Sequence, residues 1–334
     1  MPDVFKVFIG RDEGDLEDLL SRSLKWLDWC GSIKNRATIF IKPNFTWPKY
    51  IPGVTTSPRL LEALFKVLRM QLEPGRIILG ESDGGRRSFA AEEAFAGHGM
   101  YELCRANGVE LVNLSKGPSK LVSIEVAGRL TMVELPLLLL EEVDTFITVP
   151  VLKTHIMTGV SLGLKNQWGC IPDAMRLLQH PILDRGIVAI NKILRPGLSI
   201  IDGLVAQDGN GPLYGEPVRM NLIIASDNVF AGDRVACELM QVNPGRIMHQ
   251  VIASKDGLMP ARGDILLNTD LETFQSRRFL VKRKPINWVV IMVAKTRFTS
   301  KLLYDSPLTG PVYKLRDWWR SARRNLRRSG ETTS

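Results

Sequence analysis

Apolar positions along this chain fall into two alternating rhythms. Short apolar stretches with period two or none read as strands: Val4 to Ile9, Ala37 to Ile41, Arg76 to Leu79, Val109 to Leu114, Asp144 to Val151, Leu198 to Ile201 and Met220 to Ala225. Between them, apolar residues recur every three or four positions. Leu16, Leu19, Leu20, Leu24 and Leu27 mark one helix; Ser57-Pro58 opens another that runs to about Leu72 before Glu73-Pro74-Gly75. Further helices are predicted over Ser88 to Asn107, residues 184 to 194, and Asn228 to Met240, with Ser226-Asp227 as the cap of the last. A β-hairpin is expected around Ala127-Gly128. This alternation predicts an α/β fold, a mostly parallel open sheet with helices on both faces.

Charge divides the chain. Residues 277–334 hold 15 Lys/Arg against 3 Asp/Glu, a net of +12; the whole chain is +9, so residues 1–276 are at −3. The basic character belongs to the tail, and the rest is not built like a nucleic-acid-binding globule. We therefore expect an α/β domain over 1–276 and a basic, Trp-containing extension over 277–334. Within the extension, Pro311 to Arg328 places Leu315, Trp318, Trp319, Ala322 and Leu326 on one helical stripe, with arginines mostly opposite. A helix of that kind suits an anionic membrane surface, packs on the main domain or a second subunit, or, as a third alternative, binds nucleic acid through the tail alone.

No apolar run approaches the roughly 20 residues of a membrane-spanning helix, and the first residues read as a strand rather than a signal peptide. The expected location is the cytoplasm, with the tail able to hold the protein peripherally at a membrane. Cys30, Cys104, Cys170 and Cys237 are far apart with no C-x-x-C pair, which suits reduced thiols. Cys170 stands out for its closeness to Lys165-Asn166.

Polar clusters follow several of the strands, and in a parallel sheet those ends share one edge, where ligands bind. Lys42-Pro43-Asn44 leaves one strand through a stiff proline, making Lys42 and Asn44 ligand candidates. Gly80-Glu81-Ser82-Asp83-Gly84-Gly85 leaves another. Its glycines Gly84 and Gly85 suit an anion nest; Glu81 and Asp83, with Asp202 at a later strand end, suit a divalent metal. Lys153, Thr154 and His155 follow Val149-Pro150-Val151-Leu152, and Lys165 and Asn166 come soon after. Lysine there can fix an oxyanion or act as a base, and histidine can move a proton. Lys153, His155 and Lys165 are the catalytic candidates; His180 and Asn166 join the ligand-binding set. Asp208 to Pro212 is a candidate lid or metal loop. Asp233 stands between a solvated carboxylate and a site residue, and His98 and His249 read as structural. Gly159-Val160-Ser161-Leu162-Gly163 matches the nucleophile-elbow pattern, but the residues before it do not read as a buried strand.

In order, Lys42-Pro43-Asn44, Thr55-Thr56-Ser57-Pro58, Gly80-Glu81, Val149 to His155, Leu164-Lys165-Asn166, Gly169, His180, Ile201-Asp202-Gly203, Gly211-Pro212 and Asp227 resemble the domain of unknown function 362, over roughly residues 38 to 245. The resemblance implies an α/β domain and adds weight to Lys153, His155, Lys165 and Asn166. Many relatives carry a ferredoxin-like module and are described as iron–sulfur proteins. This chain lacks such a cysteine run, so no cluster is expected from its own thiols. The expected function is an enzyme acting on a carboxylate- or phosphate-bearing small molecule. The alternative is a redox accessory or binding protein that docks on an iron–sulfur or membrane-bound partner.

Overall fold

The computed structural model describes residues 4–283, 285–294, 296, 298, 299 and 301. The amphipathic helix expected over Pro311 to Arg328 lies outside the described residues. In chain order the elements are β1 (Phe5–Arg11), α1 (Leu16–Leu27), β2 (Thr38–Pro43), α2 (Pro58–Gln71), β3 (Arg76–Glu81), α3 (Ala91–Gly97), α4 (Met100–Ala106) and β4 (Glu110–Asn113). Then come the hairpin strands β5 (Ser119–Val126) and β6 (Arg129–Pro136), followed by β7 (Thr145–Val149), β8 (Val151–His155), β9 (Gly159–Ser161) and the single-turn α5 (Gly163–Asn166). The chain continues through α6 (Leu183–Leu194), β10 (Leu198–Asp208), β11 (Glu216–Ser226), α7 (Val229–Leu239), α8 (Met248–Lys255), β12 (Ile265–Leu267) and α9 (Pro285–Val293).

Ten strands make one sheet in the order β12-β1-β11-β10-β7-β2-β3-β4, with β8 pairing to β10 and β9 to β8. Every strand of it runs in one direction except β11 and β9. The expected mostly parallel α/β sheet is therefore the observed one.

Side-chain alternation along β2 shows how the layers form. Ile39 and Ile41 pack with Leu20, Leu24, Leu60, Leu64 and Phe65 of α1 and α2 on one face. Phe40, one residue out of phase, joins Phe146, Leu164, Trp168, Ile187 and Ile190 on the other. Its ring lies 5.1 Å from that of Phe146. Gly80 on β3 abuts that ring so closely that an added Cβ would overlap it. A third cluster, around Val7, Ile9, Ile201, Leu222, Ile224 and Val235, covers the β1/β11 end.

Four local expectations change. The helix expected over Ser88 to Asn107 divides into α3 and α4, because Gly99 adopts φ 70° between them. The strand expected over Asp144 to Val151 breaks at Pro150, which has no N–H to donate, and resumes as β8. Lys153, Thr154 and His155 consequently sit inside a buried strand rather than after one. Asn228, not Ser226-Asp227, caps α7, accepting from the amides of Phe230 and Ala231; Asp227 instead accepts from the Lys6 amide.

Phe40 occupies the middle of the sheet with no exposed surface. Phe40→Ala should lower stability by about 3–5 kcal/mol in urea unfolding. A loss under about 1 kcal/mol would mean that this face of the sheet is not the packed layer described.

Candidate functional site

The strand ends are joined by a side-chain network. At its centre, Lys42 Nζ at the end of β2 donates to Glu81 Oε2 at the end of β3, at 2.6 Å, with both side chains buried. Glu81 Oε2 also accepts from the Phe45 amide (3.1 Å) and Oε1 from the Ser82 amide (3.0 Å). Gly169 lies over the pair; a Cβ there would come within 3.2 Å of both charged groups.

An amide ladder extends from this pair. Asn166 Nδ2 donates to the Lys42 carbonyl and to Thr148 Oγ1, both at 3.0 Å. Asn44 Nδ2 donates to Asn166 Oδ1 at 3.1 Å. Lys153 Nζ donates to Asn44 Oδ1 at 2.6 Å and to the Val54 carbonyl at 2.5 Å. Lys42, Asn44, Glu81, Lys153 and Asn166 thus form one connected set drawn from stretches up to 124 residues apart. Lys153 has neutral acceptors and no exposure, and burial, followed by the charge of Lys165, holds its amine well below the usual lysine range. It ties β8 to the 51–55 segment.

The cationic side of the site comes from three segments. Lys165 is carried on α5. The N-terminal amides of that helical turn, Gly163 and Leu164, donate to Asp233 on α7 at 2.7 and 3.0 Å. Gly163 leaves room for that carboxylate, since a Cβ would lie 2.8 Å from Asp233 Oδ1. Lys165 is half-buried and has no hydrogen-bond or ion-pair partner among the described residues. Burial, then the charge of Arg176, brings its amine down to about 8, with Asp184 opposing. Arg176 is itself buried, and its guanidinium donates to the carbonyls of Asp83 (2.8 Å) and Asp173 (3.3 Å).

Two histidines complete this side. His155 Nδ1 accepts from the amides of Met157 (3.1 Å) and Thr158 (3.3 Å), so its ring proton sits on Nε2. Burial, reinforced by Lys165 and Lys153, keeps the ring neutral by pulling its pKa well below the usual histidine value. His180 is drawn down to about 4 by burial first, then by Lys165 and Arg176. The arrangement is two cations beside two neutral imidazoles. The nearby carboxylates bond to other groups, Glu81 to Lys42 and Asp184 to His249 at 3.4 Å, while Glu81, Asp173 and Asp83 still favour the charge of Arg176 and Asp184 that of Lys165.

The carboxylates expected to hold a metal have their oxygens in structural bonds. Asp83 Oδ1 accepts from the Ala91 amide at the start of α3 and from Asn113 Nδ2, both at 2.9 Å. Asp202 accepts from the amides of Ser57 (2.8 Å) and Leu204 (3.1 Å), and burial pushes it up to about 6. Among the described residues, no group of three His, Cys, Asp or Glu side chains is arranged to hold a metal ion.

Other candidate segments are likewise committed. In the glycine turn, the Gly84 amide donates to Phe89 O (2.8 Å), and the Arg86 amide donates to Ala174 O (2.6 Å), which ties the turn to the 172–176 segment. The expected lid is tied down: Asp208 accepts from Arg277 and from the Leu280 amide, both at 2.7 Å. Ser161 lies in β9 without the positive φ of a nucleophile elbow. Burial pushes the Cys170 thiol up to about 12, which leaves it protonated. His98 stacks on Phe45 at 4.0 Å, and His249 is fully buried.

Arg176 was not anticipated. Its segment has no strand or helix rhythm, and the only signal for it was its place four residues before His180. Asp233, which by sequence alone stands between a solvated carboxylate and a site residue, is a buried clasp, and burial raises it to about 7.

Comparison with known proteins adds a family. The model described as Domain of unknown function (DUF362) matches residues 39–238. Thylakoid-associated protein sll1697 of Synechocystis sp. is 33% identical over 131 residues, covering 37% of this chain and 41% of that protein. The matched stretch therefore spans less than half of that relative. A crystal structure of a Thermotoga maritima protein aligns with a TM-score of 0.45 and 16% identity, covering 69% of this chain and 59% of the other.

Two measurements probe the site's framework. Lys42→Met strands the Glu81 carboxylate in the interior and should cost about 3–5 kcal/mol in urea unfolding. Adding Glu81→Gln should return part of that loss, because a neutral amide oxygen can still accept from the Phe45 amide. Equal losses for the two variants would show that the pair is not the buried ion pair described. Asp233, raised to about 7, favours the folded state below about pH 4, and that contribution fades as pH rises through 7. In a pH series of unfolding midpoints, wild type should lose on the order of 4 kcal/mol more than Asp233→Asn across that window. A pH-independent difference between the two would contradict the assignment.

Proposed function

The chain belongs to the domain of unknown function 362 family, and we propose that its strand-end site binds a small carboxylate- or phosphate-bearing molecule through Lys165 and Arg176. The observation that carries this reading is an imbalance of charge. Arg176 is buried and Lys165 half-buried; the Arg176 guanidinium donates to two carbonyls, with the Glu81, Asp173 and Asp83 carboxylates favouring its charge, and Lys165 has no hydrogen-bond or ion-pair partner among the described residues. Cations in such surroundings are costly unless an anion joins them. Lys165 offers a point charge and Arg176 a planar fork, the two complementary ways of holding a carboxylate or phosphate. The neutral His155 ring can add an Nε2–H donor.

The same site suits proton transfer. An amine brought down to about 8 exchanges its proton readily near neutral pH, so Lys165 can act as a general base or acid toward a bound anion. Lys42, Glu81, Asn44, Asn166 and Lys153 form the scaffold that fixes the strand ends beneath it. A second reading, peripheral attachment to a membrane, draws support from the thylakoid association in the name of the Synechocystis relative. No helix among the described residues is long and apolar enough to cross a membrane.

Calorimetric titration with inorganic phosphate and with oxalate tests the anion site. Wild type should bind at least one of them near pH 7, and affinity should fall about tenfold per pH unit above about 8 as Lys165 loses its proton. Lys165→Ala should weaken binding by about 10- to 100-fold, the value of a charge-assisted hydrogen bond. Absence of binding for both anions, or unchanged affinity in Lys165→Ala, would refute the proposal.

A further inference from the structure

We infer that α9 and its basic flanks form an interfacial anchor, which inserts Trp288 and Met292 into the surface of an anionic lipid bilayer. This rests on the peripheral-membrane reading above and names the surface responsible for it.

Three observations converge on this segment. The first is exposure. Trp288 is 53% and Met292 70% exposed, and they are four residues apart, hence on one face of the helix. Leu280 and Phe298, flanking α9 in sequence, are 50% and 79% exposed. Large apolar groups so close together along the chain stand out from the scattered exposure of an ordinary surface.

The second is length. α9 carries no charged residue, yet it has nine residues, about 14 Å of helix against the roughly 30 Å of a bilayer core. It is too short to span and apolar enough to partition.

The third is charge. Residues 277–301 contain 8 Lys/Arg and no Asp/Glu. Arg277 and Lys282 pair with Asp208 and Glu216, which fastens the start of this segment to the main domain. Arg278 and Lys301 are exposed, and the Arg283 guanidinium lies 5.1 Å from the centre of the Trp288 ring. A tryptophan beside a cation is the pairing favoured at the headgroup level, where the ring is half immersed and the cation meets phosphate. Apolar side chains flanked in sequence by Lys and Arg match an anionic bilayer.

The test uses the full chain with sucrose-loaded vesicles of phosphatidylcholine, with and without phosphatidylglycerol. Wild type should sediment with the phosphatidylglycerol vesicles, remain in solution with phosphatidylcholine alone, and be released by added salt. The double variant Trp288→Ser, Met292→Ser should keep the wild-type thermal midpoint, because both side chains are exposed, and lose about tenfold or more in lipid partitioning. Equal sedimentation of variant and wild type would overturn the assignment to α9 while leaving peripheral attachment standing. Failure of wild type to sediment with either vesicle would overturn both.

Discussion

A lysine and a glutamate with almost no solvent exposure, 2.6 Å apart at the ends of adjacent strands, set the terms for the rest of this molecule. A buried ion pair persists only when its remaining hydrogen-bonding capacity is met. Here the Phe45 and Ser82 amides and the Pro43 carbonyl meet it. Those amides belong to the loops that leave β2 and β3, so the pair also fixes where the chain goes next. From the Lys42 carbonyl the network passes through Asn166 and Asn44 to Lys153, and each amide both donates and accepts. Removing any member would leave the next one buried with an unmet group.

With the strand-end carboxylates engaged in this way, the local field is decided by the groups that remain. Lys165 and Arg176 approach from α5 and from the 3-10 helix Arg176–Ile182 before α6. Each is held by something other than a charge of opposite sign. Asp233 clasps the turn that carries Lys165, and two carbonyls orient Arg176. Under the proposed function, positioning and neutralisation are separate tasks: the protein aims its cations, and an incoming anion meets their charge. Burial first, and the charge of Lys165 second, keep His155 and His180 neutral, so they supply polarity without adding to the repulsion.

Much of this was readable from the chain alone. The period of apolar residues gave α1, α2, α6, α7 and the parallel strands, because burial of one face or two imposes that period directly. The meeting of Lys42, Asn44, Glu81, Lys153 and Asn166 followed from strand order in an α/β sheet. What each side chain does on arrival was not readable. Glu81, Asp83 and Asp202 look alike in sequence as free carboxylates after strands, yet all three accept backbone amides, and which amides come near is settled by loop geometry. Lys153 reads as a strand-end lysine until Pro150 is seen to restart the strand, which carries its side chain inward. Arg176 lies in a stretch without periodicity, where its partners depend on a turn 93 residues earlier.

The central claim is that Lys165 is a partly desolvated amine that binds an anion. The most direct measurement is the NMR titration of its Nζ resonance in lysine-labelled protein, assigned by comparison with Lys165→Arg, with and without inorganic phosphate or oxalate. The account predicts titration near 8 in the free protein, moving upward when one of the anions is present. A resonance that titrates in the ordinary lysine range near 10.4 and ignores both anions would contradict it.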